Sequence, residues 1–150
     1  MVILSALNTT AVVILSSAQI ISLSTYQISS VLITSQVVAI ETADISVLST
    51  AQIVALTTTQ ISSVITSAQV IAISTLDVVA LMTRQIASLS TYQVSSVLTS
   101  TQVVAIETAD IVALVTSQIV SLTTYQILSI LNEFNIVECV GLPFFLSIKY

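Results

Sequence analysis

The stretch Leu48-Ser49-Thr50-Ala51-Gln52-Ile53-Val54-Ala55-Leu56 decides how the chain is read. Taken as a helix start, Ser49 is the N-cap, and its hydroxyl can accept the backbone N–H of Gln52 at N3. The Gln52 side chain can reach back to the N–H of Ser49, which completes a capping box. Leu48, just before the cap, can pack on Ile53 at N4 as a hydrophobic staple. The next unit begins on that same Leu56 and runs Leu56-Thr57-Thr58-Thr59-Gln60-Ile61.

Outward from this unit, the Gln or Asp recurs at Gln19, Gln27, Gln36, Asp44, Gln52, Gln60, Gln69, Asp77, Gln85, Gln93, Gln102, Asp110, Gln118 and Gln126. The spacings run 8, 9, 8, 8 and repeat, so four units sum to 33 residues. Carrying the phase outward adds units at Asn8 and Asn132, which makes sixteen. Blocks then fall near 8–40, 41–73, 74–106 and 107–139, and Val37–Ile45 returns 66 residues later as Val103–Ile111. Repeats of this length indicate a solenoid or array.

The staple pair is Leu or Ile with Ile or Val in all sixteen units, whereas Ser, Thr or Asn fills the cap in eleven. The exceptions are Ile33, Glu41, Met82, Glu107 and Val115, where the helix runs through or the cap is lost. The third unit of each block keeps its cap, at Ser24, Thr57, Ser90 and Thr123, which predicts a firm corner there.

These features predict an all-α solenoid of short capped helices, with four 8/9-residue units per 33-residue coil and the staple residues pointing inward. The alternative is a four-sided β-solenoid, since Ser, Thr, Val and Ile favour strands. Yet Ile53 and Leu56 are three apart, a spacing that shares a face on a helix and not on a strand. Turn-forming Gly, Asn and Asp are also scarce. Continuous long helices fit less well, because the apolar steps of 3 and 5 smear around such a helix. Residues 1–7 are expected to be an N-terminal cap, 8–139 the repeat solenoid and 140–150 a C-terminal capping tail. The tail departs from the pattern at Gly141, Pro143, Phe144 and Phe145.

Composition bounds the function. The 150 residues are 55% hydrophobic and 6% charged, with a net charge of −5 and only Arg84 and Lys149 positive. Nucleic-acid binding needs clustered Lys and Arg and is excluded; attraction to anionic lipid fails for the same reason. Met1 to Ile40 carries no charge, so no signal peptide with a positive leader is expected. Gln19, Gln27 and Gln36 interrupt the same stretch before it reaches the ~18 apolar residues of a spanning helix. Membrane association stays possible but is not favoured.

The unit, Leu-Ser/Thr-Thr-x-Gln-Ile/Val-x-Ala-Leu, resembles the Ser/Thr-Gln-Ile octad arrays of large bacterial secreted or surface proteins of adhesin type. The resemblance covers Asn8 to about Val140. It implies a spacer or stalk at the cell surface or outside the cell, and carries no catalytic residues. Thr101-Gln102-Val103-Val104-Ala105-Ile106 and the 33-residue period also look like TAL effector repeats. The base-reading Gly-rich loop and the basic residues of that family are missing, and the shared feature is a capped helix start.

No catalytic, cofactor or metal site is expected. The chain has no His, so Cys139 lacks a base and a Ser-His-Asp system cannot form. A Ser–Lys pair would need Lys149, and no Gly-rich phosphate loop exists. Glu41 with Asp44, and Glu107 with Asp110, are carboxylates three apart, as a hard cation would require. Only two meet at each place, and Asp at N3, as also at Asp77, suits the helix dipole. Tyr26, Tyr92 and Tyr125, with Thr59 in the fourth place, align on the third side and fit a sugar or partner. Amphipathic surface cover is the favoured reading of that column. Val38, Val54, Ile71, Val104 and Val120 lie beside the staple and are expected to leave an exposed apolar stripe, the mark of an interface. The sequence thus predicts a non-enzymatic scaffold, spacer or self-associating module that forms homo-oligomers or filaments. Its rivals are a membrane-associated repeat protein, or a repeat-expanded chain with no evolved function.

Overall fold

The computed structural model describes residues 7–106 and 108–133. They form a succession of short helices, with no strand among the described residues. In order these are α1 (Thr9–Val13), α2 (Ser17–Ile21), π1 (Gln27–Val31), α3 (Thr34–Ala39), α4 (Thr42–Ile45), α5 (Thr50–Val54), π2 (Gln60–Val64) and α6 (Ser67–Ala72). There follow α7 (Thr75–Ala80), α8 (Thr83–Ala87), π3 (Gln93–Val97), α9 (Ser100–Ala105), α10 (Thr108–Ala113), α11 (Thr116–Ser121) and α12 (Thr124–Glu133). The chain is an all-α repeat solenoid.

Capping explains where the helices start. At Ser49 the hydroxyl accepts from the Gln52 N–H (3.4 Å) and Gln52 Oε1 accepts from the Ser49 N–H (2.9 Å). The same exchange closes the third-unit corners, where the hydroxyls of Ser24, Thr57, Ser90 and Thr123 each lie 3.1–3.2 Å from the N3 nitrogen. At Ile33, Met82 and Val115 no hydroxyl is available, but the Gln half of the box survives: Gln36, Gln85 and Gln118 still accept from the cap N–H. These residues, and Glu41, adopt extended backbone, so the helix stops and does not run through. Glu107 lies outside the described residues, as do 1–6 and 134–150 and with them the two expected caps.

The nine-residue spacings have a local cause. From each of Gln27, Gln60 and Gln93 the next repeat Gln is nine residues on, and these stretches form π1, π2 and π3. There the extra residue is absorbed in a wider turn closed by i→i+5 bonds, such as Ile65 N–H to Gln60 O (2.9 Å). The fourth third-unit helix, α12, continues instead for ten residues. Asn132 therefore lies inside a helix, and the expected unit start there does not occur.

The staple residues form the core. Ile53, Ile61, Val70 and Val78 are 0, 2, 2 and 3% exposed, and the residue before each cap from Leu23 to Leu114 is buried with them. Burying an aliphatic side chain contributes about 1.5–3 kcal/mol, so two such residues in each unit supply most of the cohesion. Successive turns are laid like brickwork. Each helix packs on the helix of the third unit further on: α1 on α3, α2 on α4, α4 on α6, α5 on α7, α7 on α9 and α8 on α10. Side-chain hydrogen bonds between turns span 27 to 32 residues, short of the 33-residue sequence period. A turn thus takes between three and four units, and residues 33 apart drift around the axis. The four-unit block is the period of the sequence rather than one closed coil with four stacked sides.

Candidate functional site

The polar chemistry of the described residues is concentrated at the Gln and Asp positions, which are buried from Gln36 to Gln126. From Gln36 to Gln126 each Gln side chain has two jobs. Its Oε1 caps its own helix, and its Nε2 donates to backbone carbonyls of the preceding turn. Gln69 Nε2 donates to Val37 O (2.9 Å) and Ile40 O (2.7 Å). Gln85 Nε2 donates to Val54 O and Leu56 O, and Gln102 Nε2 to Val70 O and Ile73 O. Gln118 makes the same pair of bonds to Ala87 and Leu89. In the third units one carbonyl is reached: Ile28 O from Gln60, Ile61 O from Gln93, and Val94 O from Gln126. Ile40 and Ile73 are extended residues just past a helix end, whereas Val37, Val54, Val70, Ala87, Ile28, Ile61 and Val94 lie within helices or π turns. Among the described residues no buried side-chain N or O lacks a partner.

Asp is acceptor-only and cannot repeat this. Asp44 Oδ1 instead accepts from the Ser17 hydroxyl (2.6 Å), and Asp77 Oδ1 from the Thr50 hydroxyl (2.7 Å), each 27 residues back. Asp77 Oδ2 also accepts from Ser74 Oγ (2.6 Å), its own cap. The carboxylates are thus occupied as inter-turn acceptors. Asp44, Asp77 and Asp110 are buried, while Glu41 is exposed at the surface of α4. No group of three potential metal ligands is present among the described residues.

The remaining candidates fall on the outside. Tyr26, Tyr92 and Tyr125 are 69, 62 and 68% exposed, at equivalent places in their units. Beside them run pairs of serine hydroxyls, Ser29 with Ser30, Ser62 with Ser63 and Ser95 with Ser96, each 3.1 Å apart. Of the expected apolar stripe, Val38, Ile71 and Val120 are exposed, whereas Val54 and Val104 are half-buried. Val13, Val79 and Val112, on first units, are exposed as well. Their signal was present, since each follows the staple residue directly. Cys139 and Lys149 lie outside the described residues. A void of about 20 Å³ in the core is lined wholly by aliphatic side chains, including Ile61, Val78 and Ile86. That is room for about one water, and no polar group turns into it. No helix among the described residues is long and apolar enough to cross a membrane.

Comparison with known proteins fits this architecture. The ALTTAQ repeat matches residues 37–75, 70–105 and 103–130. Its six letters correspond here to Ala55-Leu56-Thr57-Thr58-Thr59-Gln60, that is, a small residue, the staple, the cap, N1, N2 and the bridging Gln. No curated protein and no solved structure matches the chain. With 94 of its 150 residues matched, from 37 to 130, the chain belongs to the ALTTAQ repeat family.

Proposed function

We propose that this chain is a non-enzymatic spacer whose task is mechanical: to hold a fixed rise per repeat and to present a regular surface. The observation that supports the reading best is the double use of glutamine. The same side chain fixes the start of a helix and ties it to the turn before, so the distinctive polar residue of the repeat is committed to holding the rod together. The resemblance to arrays of surface and secreted proteins supports a stalk in such a setting. The apolar and tyrosine-bearing sides supply contact surface for further copies or for a partner.

The test is an insertion. A duplicate of residues 41–73, placed directly after residue 73, keeps the phase of the repeat. Small-angle scattering should then show the longest dimension growing by a constant increment for each added block, with an unchanged cross-section. A cross-section that widens while the length stays fixed would refute the spacer reading.

A further inference from the structure

We propose that a second copy of this chain docks side by side and antiparallel along one row of helices, the row that carries Tyr26, Leu76 and Tyr125. This rests on the scaffold reading and names the partner and its face.

The packing pairs sort the helices into rows. One row is α2, α4, α6, π3 and α11, and a second is α5, α7, α9 and α12. The unit of Ser24 heads this second row: Gln52 Nε2 donates to Leu23 O (2.8 Å), just before that cap, as Gln102 does to Ile73 O before Ser74. The third row holds α1, α3 and π2, then α8 and α10. Rows step by three units and the sequence repeats by four, so each row meets the four unit types in its own order.

The second row differs from the others in charge, capping and shape. Its segments 24–32, 49–56, 74–81, 99–106 and 123–131 hold one charged residue, Asp77, and that is buried. Exposed charges stand on the other rows, Glu41 on the first and Arg84 on the third. Every cap on the second row is a hydroxyl, at Ser24, Ser49, Ser74, Thr99 and Thr123, and each accepts its N3 N–H. The starts without a hydroxyl, at Ile33, Met82 and Val115, fall elsewhere. Because the cap hydroxyls are already bonded, drying them costs little. The outward N2 position of this row alternates in size, as Tyr26, Ala51, Leu76, Thr101 and Tyr125. The three large residues are 69, 78 and 68% exposed.

These features fit a second copy. Two chains of net charge −5 repel each other, and along this row they can meet without opposing like charges. Depletion of charge and enrichment in Tyr also mark the core of a protein interface. The alternation sets the orientation. A parallel two-fold pair would set Leu76 on Leu76 and Ala51 on Ala51, which leaves gaps. Antiparallel copies shifted by one turn seat Leu76 of each over Ala51 or Thr101 of the other, an isologous contact with large side chains over small. Four facing turns, about 10 Å apart and about 12 Å wide, bury about 1,000 Å² over both copies, the lower limit of a specific interface.

Sedimentation equilibrium on the full chain should show a dimer that dissociates on dilution. Leu76→Glu, at an exposed position, should leave the circular dichroism unchanged. It should raise the dissociation constant at least about a hundredfold, because two leucines lose their seats and two carboxylates are buried. Ala51→Trp with Thr101→Trp enlarges the small positions. Indiscriminate sticking would grow with that bulk, and a parallel pair would use it to fill its gaps. Antiparallel seating is instead blocked, and association should weaken by about tenfold or more. Ile33→Glu with Ile71→Glu places charge on the other two rows and should leave the dimer as it was. A monomeric unaltered chain would overturn the proposal and leave the row to a partner of another kind. So would equal association of Leu76→Glu, undiminished association of the Ala51/Thr101 variant, or equal loss in the Ile33/Ile71 control. The scattering test of the spacer reading can be run on the monomeric Leu76→Glu chain, so the two readings fail separately.

Discussion

Replacing Gln69 by Leu separates the two roles of the repeat glutamine. Gln69 is 2% exposed; its Oε1 accepts from the Thr66 N–H at 2.9 Å and its Nε2 bridges Val37 O and Ile40 O. Val37 O has a second partner in the Ile40 N–H, at 3.3 Å. Leucine has a similar volume and none of these bonds. The Ile40 carbonyl is then buried unpaired, at about 1–3 kcal/mol, while the Thr66 N–H, on an exposed residue, loses its cap partner at about 1 kcal/mol. The added apolar burial offsets about 1–2 kcal/mol. The expected loss is about 1–2 kcal/mol. The reference is Gln19→Leu, which removes only the local bond to Ser16 at an exposed position and should cost less than about 1 kcal/mol. Urea denaturation followed by the helical circular-dichroism signal measures both. If the two substitutions cost the same to within about 0.5 kcal/mol, a spread usual for surface changes, the inter-turn bonds contribute nothing and the clip is only a cap.

Ile61→Ala should lower stability by about 2–5 kcal/mol in the same assay, because a side chain 2% exposed leaves a cavity that neighbouring turns cannot fill. Deleting Ser63 shortens a nine-residue unit to the eight used elsewhere and should replace π2 by an α-helical turn. Its melting temperature should fall less than on deletion of Ala55, which would rotate Leu56 off the core. Calorimetric titration with Ca²⁺ should give no saturable heat, because Asp44 and Asp77 already accept from Ser17 and from Thr50 and Ser74.

Local chemistry was readable from the sequence, and inter-turn chemistry was not. Ser49, Gln52, Leu48 and Ile53 lie within six residues, so box and staple follow from spacing alone. The nine-residue interval after Gln60 was visible as a number, but its absorption in a π turn depends on Ile65 staying on the core. The burial of Gln69 could not be foreseen. A polar side chain already satisfied by its own cap gives no sign that its other end meets Val37 and Ile40, some thirty residues away in sequence. Sequence period and structural turn need not coincide, and only the contacts between turns reveal the difference.

The brickwork also determines how the rod yields under load. Among the described residues no side-chain hydrogen bond reaches further than 32 residues along the chain, so nothing ties the two ends of the array to each other. Tension applied at the ends peels the outermost turn away, breaking its amide bonds a few at a time while the turns behind it remain intact. Each event frees about thirty residues, roughly 100 Å of extended chain. The force trace should be a train of evenly spaced low peaks rather than one large rupture. Such a rod would lengthen stepwise under strain and rewind from any surviving turn when the strain is released.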